Sequence, residues 1–146
     1  MESVGRSGAG PSGPHAIAAT VSLNGDGACI AEARHFAAGF LTRARTDHGV
    51  PLSARAVDLT QLVVSELVTN AHKYAPGPTL MELRIVDAMV AVTVRDSVRN
   101  RPVAHSVDPH RVGRHGLEIV KAVAHEFRID VEPAGKSVTA SIALAD

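Results

Sequence analysis

The run Pro76-Gly77-Pro78 divides the chain into two parts that obey different periods, and that switch constrains the fold more than any other feature. Ahead of it, apolar residues recur at helical spacing: Ile30, Ala33, Ala37, Phe40 and Leu41, then Leu59, Leu62 and Val63. Behind it the period falls to two. Met81, Leu83 and Ile85 alternate with Glu82 and Arg84, and Val90, Val92 and Val94 repeat the pattern after the short link Asp87-Ala88. Two such runs so closely joined predict an antiparallel hairpin. Two amphipathic helices and a half-apolar hairpin bury their apolar faces most simply when the helices lie on one face of a sheet.

Boundary signals complete the plan. A strand is predicted over 16–23, ending at the turn Asn24-Gly25-Asp26-Gly27. A first helix spans Ala28 to Arg45 and stops before Gly49 and Pro51; a second runs from Ser53 to Ala75. After the hairpin, residues 97–114 carry Arg99, Arg101, Arg111 and Arg114 against the single acid Asp108, a long basic loop of the kind that is functional in compact domains. A third helix follows over about 115–126, then strands Phe127 to Val131 and Ser137 to Leu144 around Pro133-Ala134-Gly135. The expected architecture is a two-layer α/β sandwich, with a mixed, mainly antiparallel sheet covered on one face by three helices. Residues 1–14, with four Gly, three Ser and two Pro, read as a disordered leader, which leaves 15–146 as a single domain.

Composition narrows the function classes. Lys+Arg and Asp+Glu balance at 15 each, so no global field draws nucleic acid or anionic lipid. Aromatics, the stacking platforms of single-strand binders, make up only 3% of residues. No apolar run approaches the roughly 18 residues of a membrane span. The expectation is a cytoplasmic domain without direct nucleic-acid or membrane contact. Cys29, the single cysteine, reads as a packed small residue, and His35 as an ordinary helical histidine. His105, His110 and His115 lack the companion ligands of a zinc site.

Chemistry concentrates in three places. On the second helix, Glu66 and Asn70 point into the arc of Leu59, Leu62 and Val63, with Lys73 at its edge, all three on one i, i+4, i+3 stripe. A carboxylate buried without a partner costs several kcal/mol, so a metal ion, a substrate proton or an internal ion pair must meet it. A structural pairing of Glu66 with a core arginine, and of Asn70 with backbone, would answer the same need. Asp96 stands at the end of the second hairpin strand, where a carboxylate can accept from an exocyclic amine or simply cap a turn. Gly113-Arg114-His115-Gly116-Leu117 opens the third helix, where glycines let backbone N–H groups approach an anion.

The stretch Val63-Val64-Ser65-Glu66-Leu67-Val68-Thr69-Asn70-Ala71-His72-Lys73-Tyr74-Ala75-Pro76 resembles the N box of the GHKL (Bergerat-fold) ATP-binding superfamily. Within it the chain looks most like bacterial anti-sigma-factor serine/threonine kinases and related actinobacterial regulatory ATP-binding proteins, over roughly residues 28–144. The resemblance implies ATP and Mg²⁺ as cofactors. Asn70 would ligate Mg²⁺, Glu66 would act as general base, Lys73 would approach the phosphates and Asp96 would accept from the adenine amine. Gly113, Arg114, Gly116 and Leu117 would match the second glycine box and its lid, and Ser137 the position contacting the adenine side. Ser97-Val98-Arg99-Asn100 follow Asp96 where the family has glycines, so adenine packing must differ here. The implied activity is phosphorylation of an antagonist protein on Ser or Thr, with a sigma factor as a second partner and pairing of two copies through a sheet edge or the first helix. The alternatives are a non-catalytic module that sequesters a partner and the ATPase part of a histidine kinase.

Overall fold

The computed structural model describes residues 17–24, 28–74, 77–96, 114–133 and 135–145. Eight elements follow in the order β1 (Ile17–Leu23), α1 (Cys29–His48), α2 (Ala54–Tyr74), β2 (Thr79–Val86), β3 (Met89–Asp96), α3 (Arg114–Val123), β4 (Glu126–Glu132) and β5 (Gly135–Ala143). The strands form one sheet in the order β1-β2-β3-β5-β4, and every neighbouring pair is antiparallel. The sheet is therefore more uniform than the mixed one expected, and its three helices cover one face. The leader 1–14 and loop residues 97–113 lie outside the described residues.

Local sequence sets the element ends. Gly49 closes α1 at φ 68, its N–H donating to Arg45 O at 3.1 Å while Val50 N–H donates to Ala44 O at 3.2 Å. The 5→1 bond from Gly49 makes this an αL-type cap, and its left-handed residue favours glycine. Ser53 Oγ accepts the Ala56 N–H at 3.0 Å, an N-cap contact for α2 of the kind that contributes about 1 kcal/mol. Asp87 turns the β2–β3 hairpin at φ 59, a conformation Asp tolerates better than most side chains. Helix α3 ends at Val123 rather than near 126, because β4 starts at Glu126 and the His125 N–H already donates to Ser141 O at 2.7 Å.

Alternation puts Met81, Leu83 and Ile85 of β2, Val90, Val92 and Val94 of β3, and Val138, Ala140 and Ile142 of β5 on the helix-covered face, all buried. They pack against Ala33, Ala37, Phe40 and Leu41 of α1 and Val64, Leu67, Val68 and Ala71 of α2. The buried face of α2 differs from the expected arc. Thr60, Val64, Leu67 and Ala71 are buried, whereas Leu62 is 36% exposed and Glu66 is half-buried. The cause is three-sided packing: the sheet lies beneath α2, α1 flanks one side and α3 the other. The burial centre thus shifts toward Val64, and Glu66 lies on the α3 flank.

Candidate functional site

Topology gathers the chemistry at one end of the sheet. The C-terminal end of α2 leads within a few residues into Thr79, and the β2–β3 register pairs Thr79 with Asp96. Strand β5 starts beside Asp96, and α3 starts against α2. Asn70 and Asp96 are each 3% exposed. Asp96 continues the row Val90, Val92, Val94 and so faces the helical layer rather than solvent.

Asp96 is held by backbone. Its Oδ1 accepts the Lys136 N–H at 3.1 Å. Gly135, at φ 153, makes this approach possible: a Cβ there would run into the Asp96 carbonyl and stand 2.9 Å from Oδ1. Sequence reasoning took Gly135 for a turn residue only, and a backbone donor at Lys136 leaves no mark in side-chain chemistry. Thr79, buried beside Asp96, was also missed; its hydroxyl donates to Gly77 O at 3.5 Å.

Asn70 presents a different situation. Its Oδ1 is buried and accepts no hydrogen bond among the described residues. An unmade hydrogen bond of this kind costs about 1–3 kcal/mol, a penalty that a ligand placed there removes. An amide oxygen is a hard donor, which fits Mg²⁺ as one protein ligand completed by water and phosphate. Glu66, one turn earlier on α2, packs against the first turn of α3 at Gly116.

The remaining predicted residues divide. Lys73 is exposed in the last turn of α2, and Leu117 is partly buried against the core. Arg114 opens the backbone of α3, while Gly113 lies outside the described residues. Ser137 does not join the group. The register pairs it with Arg95, one residue out of step with Asp96, so alternation places it on the opposite face of the sheet. Cys29, buried in the first turn of α1, has a partner the sequence did not reveal: its Sγ lies 3.3 Å from His72 Nε2. Among the described residues no three His, Cys, Asp or Glu side chains converge as a metal cluster, and no helix is long and apolar enough to cross a membrane.

The family model of the histidine kinase-like ATPase domain matches residues 25–142. The chain belongs to that family, and through it to the GHKL ATP-binding superfamily that its N box resembles. Similar solved structures include the histidine kinase domain of the blue-light activated histidine kinase from Erythrobacter litoralis EL346, with 20% identity over 74% of this chain and 61% of that one, at a TM-score of 0.46. Another is the Acinetobacter baumannii histidine kinase AdeS, with 12% identity over 88% of this chain and 68% of that one, at a TM-score of 0.49. The chain thus spans less than two thirds of the Erythrobacter domain. No curated protein matches it.

Proposed function

We propose that this protein binds Mg-ATP between α2, α3 and the Asp96 end of the sheet, and acts as an anti-sigma-factor-type serine/threonine kinase. The observation that carries the reading is the buried Asn70 Oδ1, without a hydrogen-bond partner among the described residues, one turn from a half-buried Glu66. Asp96, oriented by the Lys136 N–H, would accept from the exocyclic amine of adenine. Asn70 would hold Mg²⁺, which when bound neutralises charge on the phosphates. Lys73, exposed at the end of α2, would reach toward the phosphates. Glu66 would take the proton of a Ser or Thr hydroxyl on the acceptor protein, a general-base role that contributes roughly 10²–10⁴-fold. The acceptor would be an antagonist protein, with a sigma factor as the second partner.

The test is transfer from γ-labelled ATP to the antagonist protein, with Glu66→Gln as control. The kinase reading expects acid-stable label on Ser or Thr that disappears in the variant. Acid-labile label would point to histidine phosphorylation, and phosphate release without protein label to a simple ATPase. A second reading has support in Ser97-Val98-Arg99-Asn100, which replace the glycines that follow the adenine-binding Asp in the family. In that reading the protein sequesters its partner without catalysis, and no label appears even with nucleotide bound.

A further inference from the structure

Gly116 is a glycine in a place where the backbone does not ask for one. It lies in the first turn of α3 with helical backbone, where alanine is the better helix former. A Cβ added there would meet one residue first: its three nearest heavy atoms among the described residues all belong to Glu66, with Oε1 at 2.7 Å, Cδ at 3.8 Å and Cβ at 3.9 Å. The other described glycines differ. Gly49 and Gly135 have positive φ, and Gly39 would place its Cβ 3.6 Å from the tip of Arg43, an ordinary contact.

We infer that Gly116 is a positioning residue for Glu66: the space left by its missing side chain is the seat that the carboxylate fills. Glutamate has three rotatable side-chain bonds, and a half-buried carboxylate on the flank of α2 needs a wall to hold one rotamer. The first turn of α3 supplies that wall. The colliding atom is the far end of a flexible side chain, so Gly116→Ala leaves the fold intact and moves the carboxylate instead. To regain ordinary contact at 3.4 Å or beyond, Oε1 must retreat by roughly 0.7 Å, and misplacements of about 1 Å cost up to about a hundredfold in rate. The activity arm of this inference rests on the proposed role of Glu66 as base; the positional arm does not.

The experiment compares wild type, Gly116→Ala, Glu66→Gln and the double variant. The first readout is the Glu66 side-chain carboxyl carbon resonance without nucleotide, assigned by its absence in Glu66→Gln. Gly116→Ala is expected to shift it while thermal stability stays level or rises; an unmoved resonance overturns the inference. The second readout is turnover at saturating Mg-ATP. Gly116→Ala should lower it at least about tenfold, and the double variant should be no worse than Glu66→Gln alone. Weakened affinity with unchanged saturated turnover, or losses that multiply in the double variant, would place Gly116 with the phosphates and overturn the inference. Wild-type protein without turnover defeats the kinase reading instead, and the resonance then decides the positioning by itself.

Discussion

Replacing Asn70 by leucine should stabilise the nucleotide-free protein and at the same time remove its response to Mg-ATP. The Asn70 side chain is 3% exposed and its Oδ1 accepts no hydrogen bond among the described residues. Leaving such an oxygen unsatisfied costs about 1–3 kcal/mol. Leucine keeps the branching at Cγ and replaces the polar atoms by methyl groups, at an overpacking cost of about 1 kcal/mol. The net gain is about 1 kcal/mol, or about 2–4 °C in Tm for a chain of this size. Ligand reverses the ranking. At a hundred times Kd, Mg-ATP adds about 2.7 kcal/mol to the wild type and nothing to the variant. Urea denaturation and thermal melts, each with and without Mg-ATP, measure both effects. A variant that is less stable than wild type without ligand would mean that the amide is satisfied in the folded protein. A variant that gains as much as wild type from Mg-ATP would remove Asn70 from the site.

Gly135→Ala forces a side chain into a left-handed backbone position and into the Asp96 carbonyl, so it should destabilise by about 1–3 kcal/mol in urea denaturation and also weaken ATP binding. Asp96→Asn keeps the shape of the side chain and one acceptor oxygen but loses its charge. Calorimetry should show at least about a tenfold loss of ATP affinity with little change in Tm. Leu67→Ala, at a position 1% exposed between α2 and the sheet, should cost about 2–5 kcal/mol by denaturant melt. The Arg128–Asp130 pair on β4 bonds at 2.9 Å but is largely solvated, so Asp130→Ala should move stability by less than about 1 kcal/mol.

The elements were legible because periodicity reports burial directly. The alternations in 81–85 and 90–94 became β2 and β3, and Gly49 and Ser53 acted locally, as caps. The site was legible only in part. Asn70 proved buried, as its place in the apolar arc implied, whereas Asp96, read only as standing at a strand end, is buried because it continues the alternation of β3. The centre of the α2 arc was misplaced because a helical wheel does not record which neighbours flank the helix; α1 and α3 move burial toward Val64 and leave Leu62 in solvent. Ser137, placed by resemblance alone, lies on the face opposite Asp96 because its register is one residue out of step, and register between distant strands is not written in local sequence. The Lys136 N–H is backbone, and Cys29 meets His72 across 43 positions of sequence; neither contact leaves a local pattern.

The central claim is that the Asp96 end of this sheet, closed by α2 and α3, is a magnesium-dependent ATP site. Calorimetric titration with ATP, with and without Mg²⁺, on wild type and Asn70→Ala tests it most directly. The account predicts saturable, magnesium-dependent binding to wild type that is lost in the variant. Absence of binding at millimolar nucleotide, or binding indifferent to both magnesium and Asn70, would contradict it.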